Sequence, residues 1–154
     1  MRKGEGESGK QAAVERQAKV GATATAPARS LLVALVVGDV LMFLLFAAWG
    51  RATHAEPLPL LAIVETAAPF LVAWLAVAPL LGAYRPGLLT QPLPMAMQTL
   101  IVWIAACVLG LYIRSAWLQR EIIPTFALVT FGMVAPMLVG WRTLFAWWNR
   151  SRLA

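Results

Sequence analysis

Charge is scarce in this chain. Asp, Glu, Lys and Arg together make up 13% of its 154 residues, where a soluble domain carries about a quarter. Hydrophobic residues make up 60%, and the mean hydropathy is +0.73. Too little polar side chain is left to cover a soluble surface, which excludes a soluble enzyme and a disordered protein. Cysteine is nearly absent. Cys107 stands alone inside an apolar run, so an intramolecular disulfide framework and a cysteine-based metal cluster are both excluded. His54 is the single histidine. No Ser/His/Asp constellation, phosphate-binding glycine loop, metal-ligand spacing or nucleic-acid module occurs. The sequence predicts no enzymatic activity, no cofactor, no metal and no nucleic-acid partner.

What the chain does have is apolar length. Four runs, at about 31–49, 58–82, 95–113 and 122–140, each approach or exceed the roughly 20 residues a helix needs to cross the hydrocarbon core. None alternates as a membrane strand would. Backbone groups in lipid must be bonded within their own segment, so the runs are predicted to be helices. Short connections make neighbours antiparallel. Pro86-Gly87, Pro92 and Pro94 mark the second turn. The predicted fold is all-α, a four-helix up-down transmembrane bundle over 30–148 with no internal repeat. The length suits one compact domain.

Residues 1–29 are a polar tail in which Arg2, Lys3, Lys10, Arg16, Lys19 and Arg29 mix with Glu5, Glu7 and Glu15. Without aromatic residues or an apolar stripe it cannot bury a core, and it is expected to be disordered, apart from a weak helical tendency over 11–20. It is too long and too acidic for the leader of a signal peptide. Residues 141–154 place Trp141, Leu144, Phe145 and Trp148 opposite Arg142, Asn149 and Arg150. That pattern reads as an interfacial amphipathic segment or a continuation of the fourth helix.

The cations give orientation. With the N-terminus inside, the inner side holds the tail's six together with Arg85, Arg142, Arg150 and Arg152, and the outer side holds Arg51, Arg114 and Arg120. Ten against three puts both termini in the cytoplasm, in a multi-pass protein of the cytoplasmic (inner) membrane. Trp49, Tyr84, Tyr112, Trp117 and Trp141 fall near helix ends, where aromatic belts form.

Asp39 is the residue most able to carry chemistry. It falls near the middle of the first helix, where a carboxylate costs about 3 kcal/mol. It must face the bundle interior, find a partner or stay protonated. It is either a proton or cation site or a packing hydrogen bond, and Gly38 beside it permits a close helix approach. Glu65, in the antiparallel second helix, either shares a proton with Asp39 or lies at the interface within reach of Arg51. Arg51, His54 and Arg114 form a candidate outer polar cap, with Glu121 nearby. Pro69 and Pro79 interrupt the second helix, and Pro124 and Pro136 bracket the fourth. Carbonyls freed by proline need donors, and Thr66, Thr125 and Thr130 offer hydroxyls. Ala106 and Gly110 make a small-residue packing face. Trp74 and Trp103 read as packing or lipid-facing residues.

Several landmarks recur in order: Gly38-Asp39, Gly50-Arg51 with His54, Pro69-Phe70 and Trp74, Pro124-Thr125-Phe126 followed by Val129-Thr130, and Trp141-Arg142. Together they resemble an uncharacterised bacterial membrane-protein family, domain of unknown function 3054, over about 31–145. The resemblance implies a small integral membrane protein with a four-helix core and no assigned activity. It falls on Asp39, Arg51, His54 and Arg142 among polar residues. The first functional expectation is a non-catalytic accessory or scaffold subunit in contact with the lipid bilayer and other membrane subunits. The alternative is a small oligomeric proton- or cation-coupled transporter using Asp39. An intramembrane enzyme would need Asp39 and Glu65 as a carboxylate pair.

Overall fold

The computed structural model describes residues 4–54, 57–119 and 121–153, with side chains from residue 29 to 152. Four helices follow in order: α1 (Gly4–Thr53), α2 (Leu60–Leu80), α3 (Pro92–Leu118) and α4 (Pro124–Leu153). Each contains a segment long and apolar enough to cross a membrane, and the described residues form no strand. The up-down bundle expected from the four apolar runs is what the chain forms. The chain divides into a unit up to Ala34 and a unit from Leu35 to Ala154. Apart from the backbone of the N-terminal tail, everything that follows concerns the second unit.

The helix ends are written in local chemistry. Pro57 and Pro59 separate α1 from α2, and Pro59 caps α2 in an extended conformation, as the missing amide and fixed φ of proline dictate. Gly82 leaves α2 at φ +76°, a conformation that disfavours a Cβ. A 3₁₀ turn, Pro86–Thr90, then leads to Pro92 in the first turn of α3. Gln119 ends α3 in the left-handed region.

Two boundaries depart from expectation. The backbone is helical from Gly4, where the polar tail was expected to be disordered. Ala, Gln, Glu and Lys are good helix formers, and extending an existing helix avoids the cost of nucleating one. The side chains of residues 1–28 lie outside the described residues. At the other end α4 runs unbroken to Leu153. Residues 141–153 are its continuation, and the face they bury is the unexpected one. Arg142, Ala146 and Asn149 are buried, while Leu144, Trp147 and Trp148 are exposed. Leu144 and Trp148 of the apolar stripe face outward and Arg142 and Asn149 of the polar one inward, because lipid, and not water, is the solvent this surface suits.

At the core Phe43 of α1, Phe70 and Trp74 of α2, and Trp103 of α3 pack ring against ring, with centroids 5.8 to 6.5 Å apart. Trp74 and Trp103 are fully buried packing residues. Small residues admit these rings. Gly110 of the Ala106–Gly110 face lies under Phe70, and a Cβ there would come 2.6 Å from the ring. In lipid, close packing of this kind replaces the hydrophobic drive that water would supply. Pro136 cannot donate to the Gly132 carbonyl, and Trp103 Nε1 donates to the neighbouring Phe131 carbonyl at 3.3 Å.

Candidate functional site

Asp39 is fully buried, and its partner is Arg142, also fully buried. Arg142 Nη1 stands 3.8 Å from Asp39 Oδ2. The same oxygen accepts from the Tyr84 hydroxyl at 2.8 Å and from Trp74 Nε1 at 3.1 Å. Trp74 Nε1 also reaches the Tyr84 hydroxyl at 3.1 Å. Arg142 Nη2 donates to the Ala83 carbonyl at 2.7 Å. The guanidinium carbon lies 5.2 Å from the Trp74 ring and 5.0 Å from the Tyr84 ring. One buried node thus ties α1, α2, the turn after α2 and α4 together.

Each element supplies its part for a local reason. Gly38 lets the Trp141 indole lie directly against α1, where any Cβ would overlap it. That contact brings Arg142, the next residue of α4, level with Asp39. The positive φ of Gly82 turns the chain so that Ala83 offers its carbonyl and Tyr84 its hydroxyl inward. The node remains incompletely bonded. Asp39 Oδ1, Arg142 Nε and Nη1 and Trp141 Nε1 are buried without a hydrogen-bond partner. Outside the spans, burial and then the neighbouring Asp39 carboxylate push the Tyr84 phenol above its ordinary pKa.

Glu65 takes no part in this. It is solvent- or lipid-exposed, and nine residues of α2, about 13 Å of rise, separate it from Trp74. The carboxylate pair considered for Asp39 and Glu65 is not formed. Tyr84 and Trp141, read as interfacial belt residues, turn inward. Arg142 is no loop cation but the counter-charge of Asp39, and the cation bias toward the N-terminal side survives its removal. The sequence did carry a trace of this. Arg142, Ala146 and Asn149 recur at helical spacing, and a carboxylate in mid-helix requires a partner.

Glu65 instead joins the candidate outer cap. Arg51, His54, Glu65 and Arg114 all line a cavity of about 920 Å³ at the end of the bundle away from Tyr84. Asp39 does not line it. Arg51 donates to the Pro57 carbonyl at 2.8 and 3.0 Å and to the Thr66 hydroxyl at 3.4 Å. Arg114 lies 4.0 Å above the Phe126 ring. Further in, the walls are Phe46, Phe70, Met133 and Met137, with Thr130 among them. Among the described residues no group of three or more His, Cys, Asp or Glu side chains is placed to hold a metal ion.

A family model described as "Protein of unknown function (DUF3054)" matches residues 36–145. No curated protein and no solved structure matches the chain. The matched stretch contains both Asp39 and Arg142, all of α2 and α3, and parts of α1 and α4.

Proposed function

The chain belongs to the DUF3054 family of proteins of unknown function, and we propose that it is a non-catalytic accessory or scaffold subunit of the cytoplasmic membrane. It lies with both termini in the cytoplasm and packs against lipid and other membrane proteins. The observation that carries this reading is the state of Asp39. The carboxylate is fully buried, opposed by Arg142 and held by Tyr84 and Trp74. A group so engaged serves to fix four chain segments in one arrangement. The exposed apolar faces, among them Val72, Ile104 and Leu128, suit lipid or neighbouring helices.

Purification from native membranes in mild detergent tests it, with native-gel sizing and mass spectrometry of co-purifying chains. Stoichiometric larger membrane subunits are expected. A chain that runs alone or as a small homo-oligomer would overturn the subunit reading. Reporter fusions at each terminus test the orientation, and an external terminus would overturn that part.

A second reading, an oligomeric proton- or cation-coupled transporter, draws support from the unbonded Asp39 Oδ1 and Arg142 Nη1. An ion pair with spare bonding capacity can exchange partners. Asp39→Asn keeps the shape and removes the ionisable proton. In liposomes a transporter would lose flux with this variant even in chains that assemble, while a scaffold would show only the lost stability of an Arg142 left without its counter-charge.

A further inference from the structure

The cavity at the Arg51 end has the features of a ligand site. Its volume of about 920 Å³ falls in the range of small-molecule pockets, about 300–1,000 Å³. Its lining is divided. Arg51, Arg114 and His54 stand at the mouth against one carboxylate among the lining residues, Glu65, and the interior is aromatic and methionine-rich. On α4 the lining runs from Phe126 to Met137, about 16 Å of helical rise, or half the hydrocarbon core of about 30 Å. The two arginines are held in place, Arg51 by the Pro57 carbonyl and Arg114 over the Phe126 ring. Fixed guanidinium groups suit recognition of phosphate or carboxylate at low entropic cost.

Thr130 is an independent pointer. Thr66 and Thr99 bond their hydroxyls to the carbonyl four residues back, at 2.8 and 2.7 Å, as threonine in a helix commonly does. Thr130 does not. It is fully buried, it lines the cavity, and its hydroxyl has no protein partner. It lies four residues, about 6 Å of rise, deeper than Phe126. A molecule that filled the cavity would meet cations first, then the unbonded Thr130 hydroxyl, then hydrocarbon walls.

We propose that this cavity binds a single-chain anionic lipid, with its phosphate at Arg51 and Arg114, an ester carbonyl accepting from Thr130, and its acyl chain along Phe46, Phe70 and Met137. The order of chemistry down the cavity matches the order of groups down such a molecule. The binding is independent of the subunit reading and stands or falls separately from it.

The test is native mass spectrometry of the full chain in a neutral maltoside detergent, titrated with four probes at fixed mole fraction. Lysophosphatidic acid carries phosphate, ester and chain. Dodecyl phosphate lacks the ester, lysophosphatidylcholine has a zwitterionic head, and inorganic phosphate lacks the chain. One tightly held lysophosphatidic acid per chain is expected, at least tenfold tighter than lysophosphatidylcholine or inorganic phosphate. Arg51→Gln with Arg114→Gln weakens it at least tenfold. Thr130→Val, which keeps shape and charge, weakens lysophosphatidic acid about threefold and leaves dodecyl phosphate unchanged. Met137→Trp blocks the chain and abolishes binding, and Arg85→Gln, at the other end, has no effect. Equal binding of lysophosphatidylcholine removes the charge recognition. Equal binding of inorganic phosphate makes this a free-anion site. Either overturns the proposal, as does a Thr130→Val variant that weakens lysophosphatidic acid and dodecyl phosphate alike or weakens neither. That last comparison stays readable if the arginine variant fails to fold.

Discussion

Asp39 accepts its hydrogen bonds on Oδ2, and the Arg142 guanidinium stands 3.8 Å from that same oxygen with both side chains fully buried. The pair joins α1 to α4, helices from opposite ends of the sequence, and the surrounding donors come from α2 and the turn that follows it.

Breaking this pair from one side leaves a buried charge with no counter-charge. Arg142→Met is expected to lower the unfolding free energy in detergent by about 3–5 kcal/mol. The double variant Asp39→Leu with Arg142→Met removes both charges and should recover most of that loss, since an apolar replacement of a buried pair is often neutral or stabilising. Denaturant titrations of the single and double variants provide the check. A double variant no more stable than Arg142→Met alone would show that the charges do not act as a pair.

The contact between Gly38 and Trp141 permits no side chain on α1. Gly38→Ala overpacks it, at a cost of about 1–3 kcal/mol. Gly140→Ala, where a Cβ meets nothing within 4 Å, is the matched control and should leave thermal stability close to the parent. Shortening the indole by Trp141→Leu in the Gly38→Ala background should restore part of the loss. Equal melting temperatures for the two glycine variants would contradict this account.

Tyr84 offers a pH-dependent readout. Its phenol is held above the ordinary value, first by burial and then by the Asp39 carboxylate. The proton is therefore bound more tightly in the folded chain than in the unfolded one. The stability it contributes is fully present below the unfolded value, about pH 10. It falls as pH rises from there through the folded value. The phenolate absorbance difference between the parent and Tyr84→Phe should accordingly be absent at about pH 10 in the folded protein and appear on unfolding. Tyr84→Phe also removes one hydrogen bond to a charged group, worth about 1.5–3 kcal/mol. It should cost less than Arg142→Met, because Trp74 and Arg142 still face the carboxylate. A phenolate signal already present in the folded protein at pH 10 would show that Tyr84 is not enclosed as described.

Cys107 reports on the core. It is 4% exposed, in the same buried cluster as Phe70 and Trp103. A maleimide should label it slowly in the folded chain and rapidly in sodium dodecyl sulfate, with at least a tenfold difference in rate. Equal rates would place Cys107 outside the packed core.

Helix number, type and order were legible in the sequence, because each run is long and apolar enough to satisfy its own backbone in lipid without reference to its neighbours. The turn between α2 and α3 was legible too, since Pro86, Gly87 and Pro92 act through their own φ angles and missing amides. The burden of Asp39 was equally plain. A carboxylate at that depth must be compensated, whatever compensates it.

Which residue compensates it was settled only by the tertiary structure. Glu65 is the nearer candidate in sequence, and Arg142 resembles an end-of-helix cation in every local respect. What decides is the rotation and depth of α4 against α1, and these follow from the absence of a Cβ at Gly38 and the shape of the Trp141 indole. The same holds for the cavity. Arg51, His54 and Arg114 could be grouped from the sequence as one outer cap, because short loops bring those helix ends together. That they close over Thr130 and hydrocarbon walls depends on how four helices pack, and no local spacing records it. Local chemistry determined the elements of this protein, and the packing of rings against glycines decided which polar groups meet inside it.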